Sequence, residues 1–92
     1  MNQKIHLFHI LLEHKYQAED VMKKLYIGES FSNLAKKFSK CSSSRDGGNL
    51  GEIETRRLDP DFAEAASRLS PGKYSDIVRT KFGFHIIYRP NI

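Results

Sequence analysis

Four histidines and one cysteine are the residues of this 92-residue chain best suited to chemistry at neutral pH. A metal centre would need them at ligand spacing, and that spacing is missing. His6 and His9 are three apart in a stretch that reads as a strand, so they point to opposite faces. No Cys-x-x-Cys, His-x-His or His-x-x-x-His pair occurs. A cysteine–histidine nucleophile is the next candidate, because Cys41 lies in a loop between a helix and a strand, a common active-site location. Nothing beside Cys41 in sequence would activate it, and a lone thiol more often fills space as a small apolar group. What remains is a repeated pattern. His9-Ile10-Leu11 and His85-Ile86-Ile87, at opposite ends of the chain, each set a histidine in apolar company. The bland reading is a pair of core histidines satisfied by each other or by a hydroxyl such as Thr80. Around them stand Leu58, Phe62 and Phe82, from three separate segments next to turn residues. Leu58 and Phe62 have the helical spacing of core residues, but Phe82 sits at a bend before Gly83, where an aromatic ring has no packing reason to be.

The elements that must position these residues follow from periodicity. Lys4 to Leu12 reads as a strand with Ile5, Leu7, His9 and Leu11 on one face and His6, Phe8, Ile10 and Leu12 on the other. Both faces carry apolar residues, as in a central strand covered on both sides. After a short connection, Glu13 to Tyr16, the period changes. Ala18, Val21, Met22, Leu25 and Tyr26 predict an amphipathic helix from Gln17 that Gly28 ends. Ser30 caps a second helix with the stripe Phe31, Leu34, Ala35 and Phe38. Ser39 to Asn49 is a loop by its serines and glycines, with mobility expected. Leu50 to Glu54 predicts a short edge strand. Asp59-Pro60 opens a third helix with the stripe Phe62, Ala65, Ala66 and Leu69, stopped by Ser70-Pro71-Gly72. Tyr74 to Thr80 is a strand, and Phe82-Gly83 leads into the last strand, which ends at Arg89 before Pro90. The order is βααβαββ, an α+β class with a mainly antiparallel sheet and room for one extra short helix.

Composition bounds the function. The length allows one domain, residues 1–92, with a modest core. No apolar run approaches the ~20 residues of a bilayer span, so no membrane association is expected. The N-terminus lacks a secretory pattern. One cysteine forms no internal disulfide, so a reducing compartment, the cytoplasm, is expected. The net charge of +4 is spread over local clusters, Lys36-Lys37, Arg56-Arg57 and Arg79/Lys81, with no long basic block and no aromatic-interleaved basic motif. Nucleic-acid binding therefore ranks last among the functions considered.

Several short motifs, in one order along nearly the whole chain, resemble a known family. Thr80-Lys81-Phe82-Gly83-Phe84-His85-Ile86-Ile87 is similar to the parvulin signature T-x-x-G-x-H-I-I. His9-Ile10-Leu11, Phe31-Ser32-Asn33-Leu34-Ala35, Ser39-Lys40-Cys41-Ser42, Gly47-Gly48-Asn49-Leu50-Gly51 and Pro60-Asp61-Phe62 extend the match. Each is weak alone and specific together. The chain resembles a small, stand-alone parvulin, a PpiC-type peptidyl-prolyl cis-trans isomerase.

The resemblance implies an FKBP-like fold, a four-stranded antiparallel sheet surrounded by helices, with a groove on one side. It implies catalytic positions at His9, Cys41 and His85. It implies a proline cup at Leu58, where many relatives have Met, with Phe62 and Phe82, Leu50 nearby, and Thr80 beside the histidines. It implies rotation of X–Pro bonds by a non-covalent route, with no cofactor and no metal. Proline-containing peptides and unfolded client proteins would be the partners of a monomer. A peptide-binding chaperone module with little isomerase activity is the alternative. Phosphate-directed relatives carry a long basic loop after the first strand. The connection here, Glu13 to Tyr16 with Lys15 alone, implies no phosphoserine requirement. Met1 and the free Cys41 favour a complete cytosolic chain, with an excised domain of a larger chaperone as the other possibility.

Overall fold

The structure, a computed structural model, describes residues 4–91. Met1, on which with Cys41 the expectation of a complete chain rested, lies outside them. The first strand, β1, is Lys4–Leu12, as its alternation predicts. It has partners on both sides, antiparallel with β2 (Asn49–Glu54) and with β5 (Gly83–Arg89). Two further short strands, β3 (Lys73–Tyr74) and β4 (Val78–Thr80), both pair with β5. The sheet order is β2-β1-β5-β3, with β4 also against β5, so β2 is at an edge as expected.

The expected single strand Tyr74 to Thr80 is thus two pieces, so the expected four-stranded antiparallel sheet counts as five strands among the described residues. Ser75 is the reason. Its N–H donates to the Ile87 carbonyl at 2.7 Å, but its side-chain Oγ, not a main-chain carbonyl, accepts the Ile87 N–H at 2.9 Å. The chain detours at this point and rejoins β5 only at Val78, opposite His85.

Three helices cover the sheet: α1 (Lys15–Tyr26), α2 (Phe31–Phe38) and α3 (Pro60–Ser67). The first begins two residues before the expected Gln17, because the Gln17 side chain turns back to accept the His14 N–H at 3.0 Å and closes an extra turn. The other two start at the caps read from sequence, Ser30 Oγ accepting the Asn33 N–H and Asp59 Oδ1 accepting the Asp61 N–H. One core lies under α1 and α2, where Ile10, Leu12 and Ile86 meet Val21, Leu25 and Leu34. The other lies under α3, where Ile5, Leu7 and Ile87 meet Phe62 and Ala66. Adjacent residues of β5 therefore feed opposite cores, and β1 is covered on both faces as its composition requires. No helix among the described residues is long and apolar enough to cross a membrane.

The segment expected as a mobile loop, Ser39 to Asn49, contains a 3-10 turn, Ser42–Asp46. It is tied to β1 where β2 stops pairing. Leu11 donates its N–H to Ser39 Oγ at 3.0 Å, Lys40 N–H donates to the Leu11 carbonyl at 2.8 Å, and His9 N–H donates to the Gly48 carbonyl at 2.9 Å. The polar edge of β1 past Phe8 is satisfied by this connection, which fixes Cys41 beside the sheet.

Candidate active site

His9 and His85 come from neighbouring antiparallel strands. Leu11 faces His85 across the ladder and His9 faces Ile87, so the two histidines are diagonal neighbours on one face. Their rings stack with centroids 5.3 Å apart, and the two Nδ1 atoms are 3.1 Å apart. A hydrogen bond between two Nδ1 atoms holds one proton, donated by one ring and accepted by the other. On its far side His85 Nε2 is 2.7 Å from Thr80 Oγ1, which also accepts the Phe82 N–H at 3.1 Å. A chain of contacts thus runs His9–His85–Thr80–Phe82, and it ties the hairpin bend to the histidine pair.

Burial decides the charge of this pair. Both residues are buried. The His9 pKa is lowered to about 4, mainly by burial and further by the facing His85. That of His85 is also lowered by burial, against an opposing pull from the Asp59 carboxylate. Both imidazoles are therefore neutral at pH 7. His9 Nε2 is buried without a hydrogen-bond partner among the described residues.

Phe62 stands edge-on to both rings, at 5.6 Å and 74° from His9 and at 5.1 Å and 86° from His85. Helix α3 delivers it, and Pro60 at the helix start fixes the entry of that helix. Above it lies a groove of about 330 Å³ with largely apolar walls. Of the eight residues expected to form the site, seven line this groove: His9, Cys41, Leu50, Leu58, Phe62, Phe82 and His85. Phe62 is the buried floor, whereas Phe82 is 63% exposed and forms the rim. Leu50 is the extra residue where the β1–β2 register shifts, Leu7 pairing with Gly51 and Phe8 with Asn49. Such a bulge re-aims a side chain, here toward the groove.

Thr80, expected to bind substrate, is not on the groove wall. It is buried, with its hydroxyl engaged by His85 and by the Phe82 N–H. Cys41 is half-buried on the wall, and among the described residues no side-chain hydrogen bond joins its thiol to a histidine. That geometry does not make the activated pair that nucleophilic catalysis requires. No group of three His, Cys, Asp or Glu among the described residues could hold a metal ion.

Four wall residues were not anticipated: Leu11, Ile53, Arg57 and Asp59. Leu11 shares the His9 face of β1, so alternation alone could have found it. Arg57 and Asp59 flank Leu58 and bring one charge of each sign to the mouth, and only the folded turn before α3 reveals this.

Gly83 closes the arrangement. Its φ is +139°, and a Cβ there would lie 2.6 Å from the Leu12 carbonyl oxygen and 3.3 Å from a Leu11 methyl. Only glycine lets the bend at Phe82 press this closely on β1.

The family model for the PPIC-type PPIase rotamase domain matches residues 9–91. The foldase protein PrsA of Bacillus subtilis is 46% identical over 85 residues, which is 91% of this chain and 29% of that protein. A crystal structure of a peptidylprolyl isomerase (PrsA) from Bacillus anthracis superposes with a TM-score of 0.93 at 37% identity, over 97% of this chain and 42% of that one. The solution structure of NmPin, the parvulin of Nitrosopumilus maritimus, superposes with a TM-score of 0.84 at 38% identity, over 98% of this chain and 97% of that one. The chain spans under a third of the length of the curated foldase relatives it matches first.

Proposed function

The chain belongs to the PPIC-type PPIase family, the parvulins, and is a peptidyl-prolyl cis-trans isomerase domain; on that premise we propose that it rotates X–Pro bonds by gripping the proline ring in the groove over Phe62, without a covalent intermediate. The observation that carries this reading is the apolar groove floored by Phe62 and backed by a neutral histidine pair.

The uncatalysed barrier is ~18–20 kcal/mol because rotation breaks amide resonance. Midway through rotation the carbon–nitrogen bond loses its double-bond character, and the carbonyl and nitrogen become less polar. A dry apolar cup suits that state better than water does. A ~10⁴-fold acceleration corresponds to ~5.5 kcal/mol of preferential binding to it, so no nucleophile is required. Leu58, Phe62 and Phe82 hold the ring, with Leu50 beside them. His9 and His85, kept in register by Thr80, hold the floor and its neutral state. Cys41, half-buried on the groove wall, would face the substrate carbonyl and tune its surroundings.

The substrates of this reading are proline-containing peptides and folding client proteins, bound by a monomer. The single cysteine supports a reducing compartment, the cytoplasm. A peptide-binding module with little turnover would use the same cup. Exchange spectroscopy on an Ala-X-Pro-Phe peptide tests the proposal. Acceleration of cis–trans exchange at micromolar protein, with amide shifts at Leu58, Phe62, Phe82 and His85, is the expected result. Shifts without acceleration would leave only the binding module.

A further inference from the structure

Two further hollows lie along the molecule from the cup. A hollow of about 270 Å³ shares Leu11 and Phe82 with it and adds Leu12, Glu13 and Lys40. A third hollow, of about 450 Å³, shares Leu12 and Lys40 with the second and runs between α1 and α2. Shared lining residues place the three hollows side by side along the molecule. The far hollow has an apolar floor at Val21 and Phe38, and Phe38 is 41% exposed. Its rim carries Lys24, Lys37 and Lys40 against a single carboxylate, Asp20.

Lys40 is the pivot between the ends. Its main chain is anchored to the Leu11 carbonyl, one residue before Cys41, so the root of its side chain is fixed to the strand that carries His9. None of the three lysines is ion-paired to a carboxylate among the described residues. Three unpaired ammonium groups beside an apolar floor are poised for a chain that brings both apolar contact and negative charge.

We infer that the substrate groove continues past the proline cup, over Leu11, Phe82 and Lys40, into the cleft between α1 and α2, and that its lysines select X–Pro segments with acidic residues on that one flank. This rests on the cup reading above and adds a sequence preference to it. The path leaves the cup at one edge, so the preference holds on one side of the proline. Glu13 stands in the intermediate hollow, so the selection acts further along, at the Lys24, Lys37 and Lys40 rim.

The test is a set of peptides carrying Glu or Lys in turn at each of three positions before and after X–Pro, with an all-alanine peptide as reference. The expected ratio of kcat/KM, Glu over Lys, is about three- to tenfold at one or two positions on one flank in low salt, the size of one or two exposed ion pairs. It shrinks toward one at about 1 M salt. The Lys37→Gln/Lys40→Gln variant brings the low-salt ratio close to one, and Lys40→Glu inverts it. Amide shifts at Lys37, Phe38 and Lys40 move with the Glu peptide and not with the Lys peptide. Equal kcat/KM for Glu and Lys peptides at every position, or a ratio that the lysine variants leave intact, would overturn the extension. Failure of the cup reading shows separately, as no acceleration even for the all-alanine peptide.

Discussion

The Gly48 carbonyl accepts the His9 main-chain N–H at 2.9 Å, and a Cβ on Gly48 would fall 2.5 Å from the His9 carbonyl oxygen. The connection that carries Cys41 is therefore pressed against the histidine strand more closely than any side chain permits. Gly48 also has a φ of +88°, which favours glycine. Gly48→Ala is expected to cost about 1–3 kcal/mol from backbone strain alone. It must also push the connection away from β1, which shifts Leu50, two residues further on, and with it the groove wall relative to His9, and lowers kcat/KM about tenfold. Gly28→Ala is the control, since Gly28 has a φ of +94°, nothing within 4 Å of its Cβ position and no place on the groove. Thermal unfolding paired with isomerase assays separates the two. Equal stability loss with full activity in Gly48→Ala would show that the close approach positions nothing.

The neutral histidine pair sets a pH window. Unfolded, both residues titrate near 6.5, whereas folding lowers the His9 pKa to about 4 and lowers that of His85 too. As pH falls below 6.5 the unfolded chain takes up protons first, so stability is constant above that value and declines from 6.5 toward 4. His9 alone contributes a loss of about 2 kcal/mol between pH 7 and pH 5. Urea unfolding over this range is expected to show that loss in the wild type and a smaller one in His9→Gln. His9, with a folded pKa of about 4, is still neutral at pH 5, so its titration leaves isomerase activity flat from pH 8 to about pH 5. A bell-shaped profile centred near pH 6.5 would instead mean that a histidine gives or takes a proton during turnover.

Phe82 is the wall residue whose role can be tested with little structural confusion, since its ring is 63% exposed and Lys81 Nζ lies 5.3 Å above it. Phe82→Ala is expected to leave folding stability within about 0.5 kcal/mol. It should raise KM about tenfold, the effect of losing roughly 1.4 kcal/mol of apolar contact with the proline ring. Steady-state kinetics with thermal melts decide this, and an unchanged KM would remove Phe82 from the cup.

Much of this was legible before the structure. The two-faced strand Lys4–Leu12 is visible in its alternation, and the caps at Ser30 and Asp59 are visible as single residues. Six of the seven residues that line the groove stand out by residue type and position alone, and the motif resemblance adds Leu50 and joins them into one site, whereas periodicity alone assigns Phe62 to the core, where it also belongs. The break between β3 and β4 was hidden because it depends on the Ser75 hydroxyl replacing a ladder carbonyl, which composition cannot reveal. The anchoring of Ser39 to Gly48 was hidden for the same reason. Serine- and glycine-rich sequence reads as loose, but here its polar groups complete the edge of β1. Thr80 was drawn to the groove by its neighbours in the motif, while its hydroxyl in fact faces His85 from behind.

The claim that the apolar cup, and not the thiol, carries the reaction is tested most directly by comparing two variants in one exchange-spectroscopy assay on an Ala-Ala-Pro-Phe peptide. Cys41→Ser keeps a hydroxyl-sized group on the wall, and Phe62→Leu keeps an apolar but reshaped floor. The expected result is kcat/KM within about threefold of wild type for Cys41→Ser and at least about tenfold lower for Phe62→Leu, a loss of roughly 1.4 kcal/mol or more in transition-state binding. A thousandfold loss in Cys41→Ser with Phe62→Leu near wild type would contradict it and make the thiol the catalytic group.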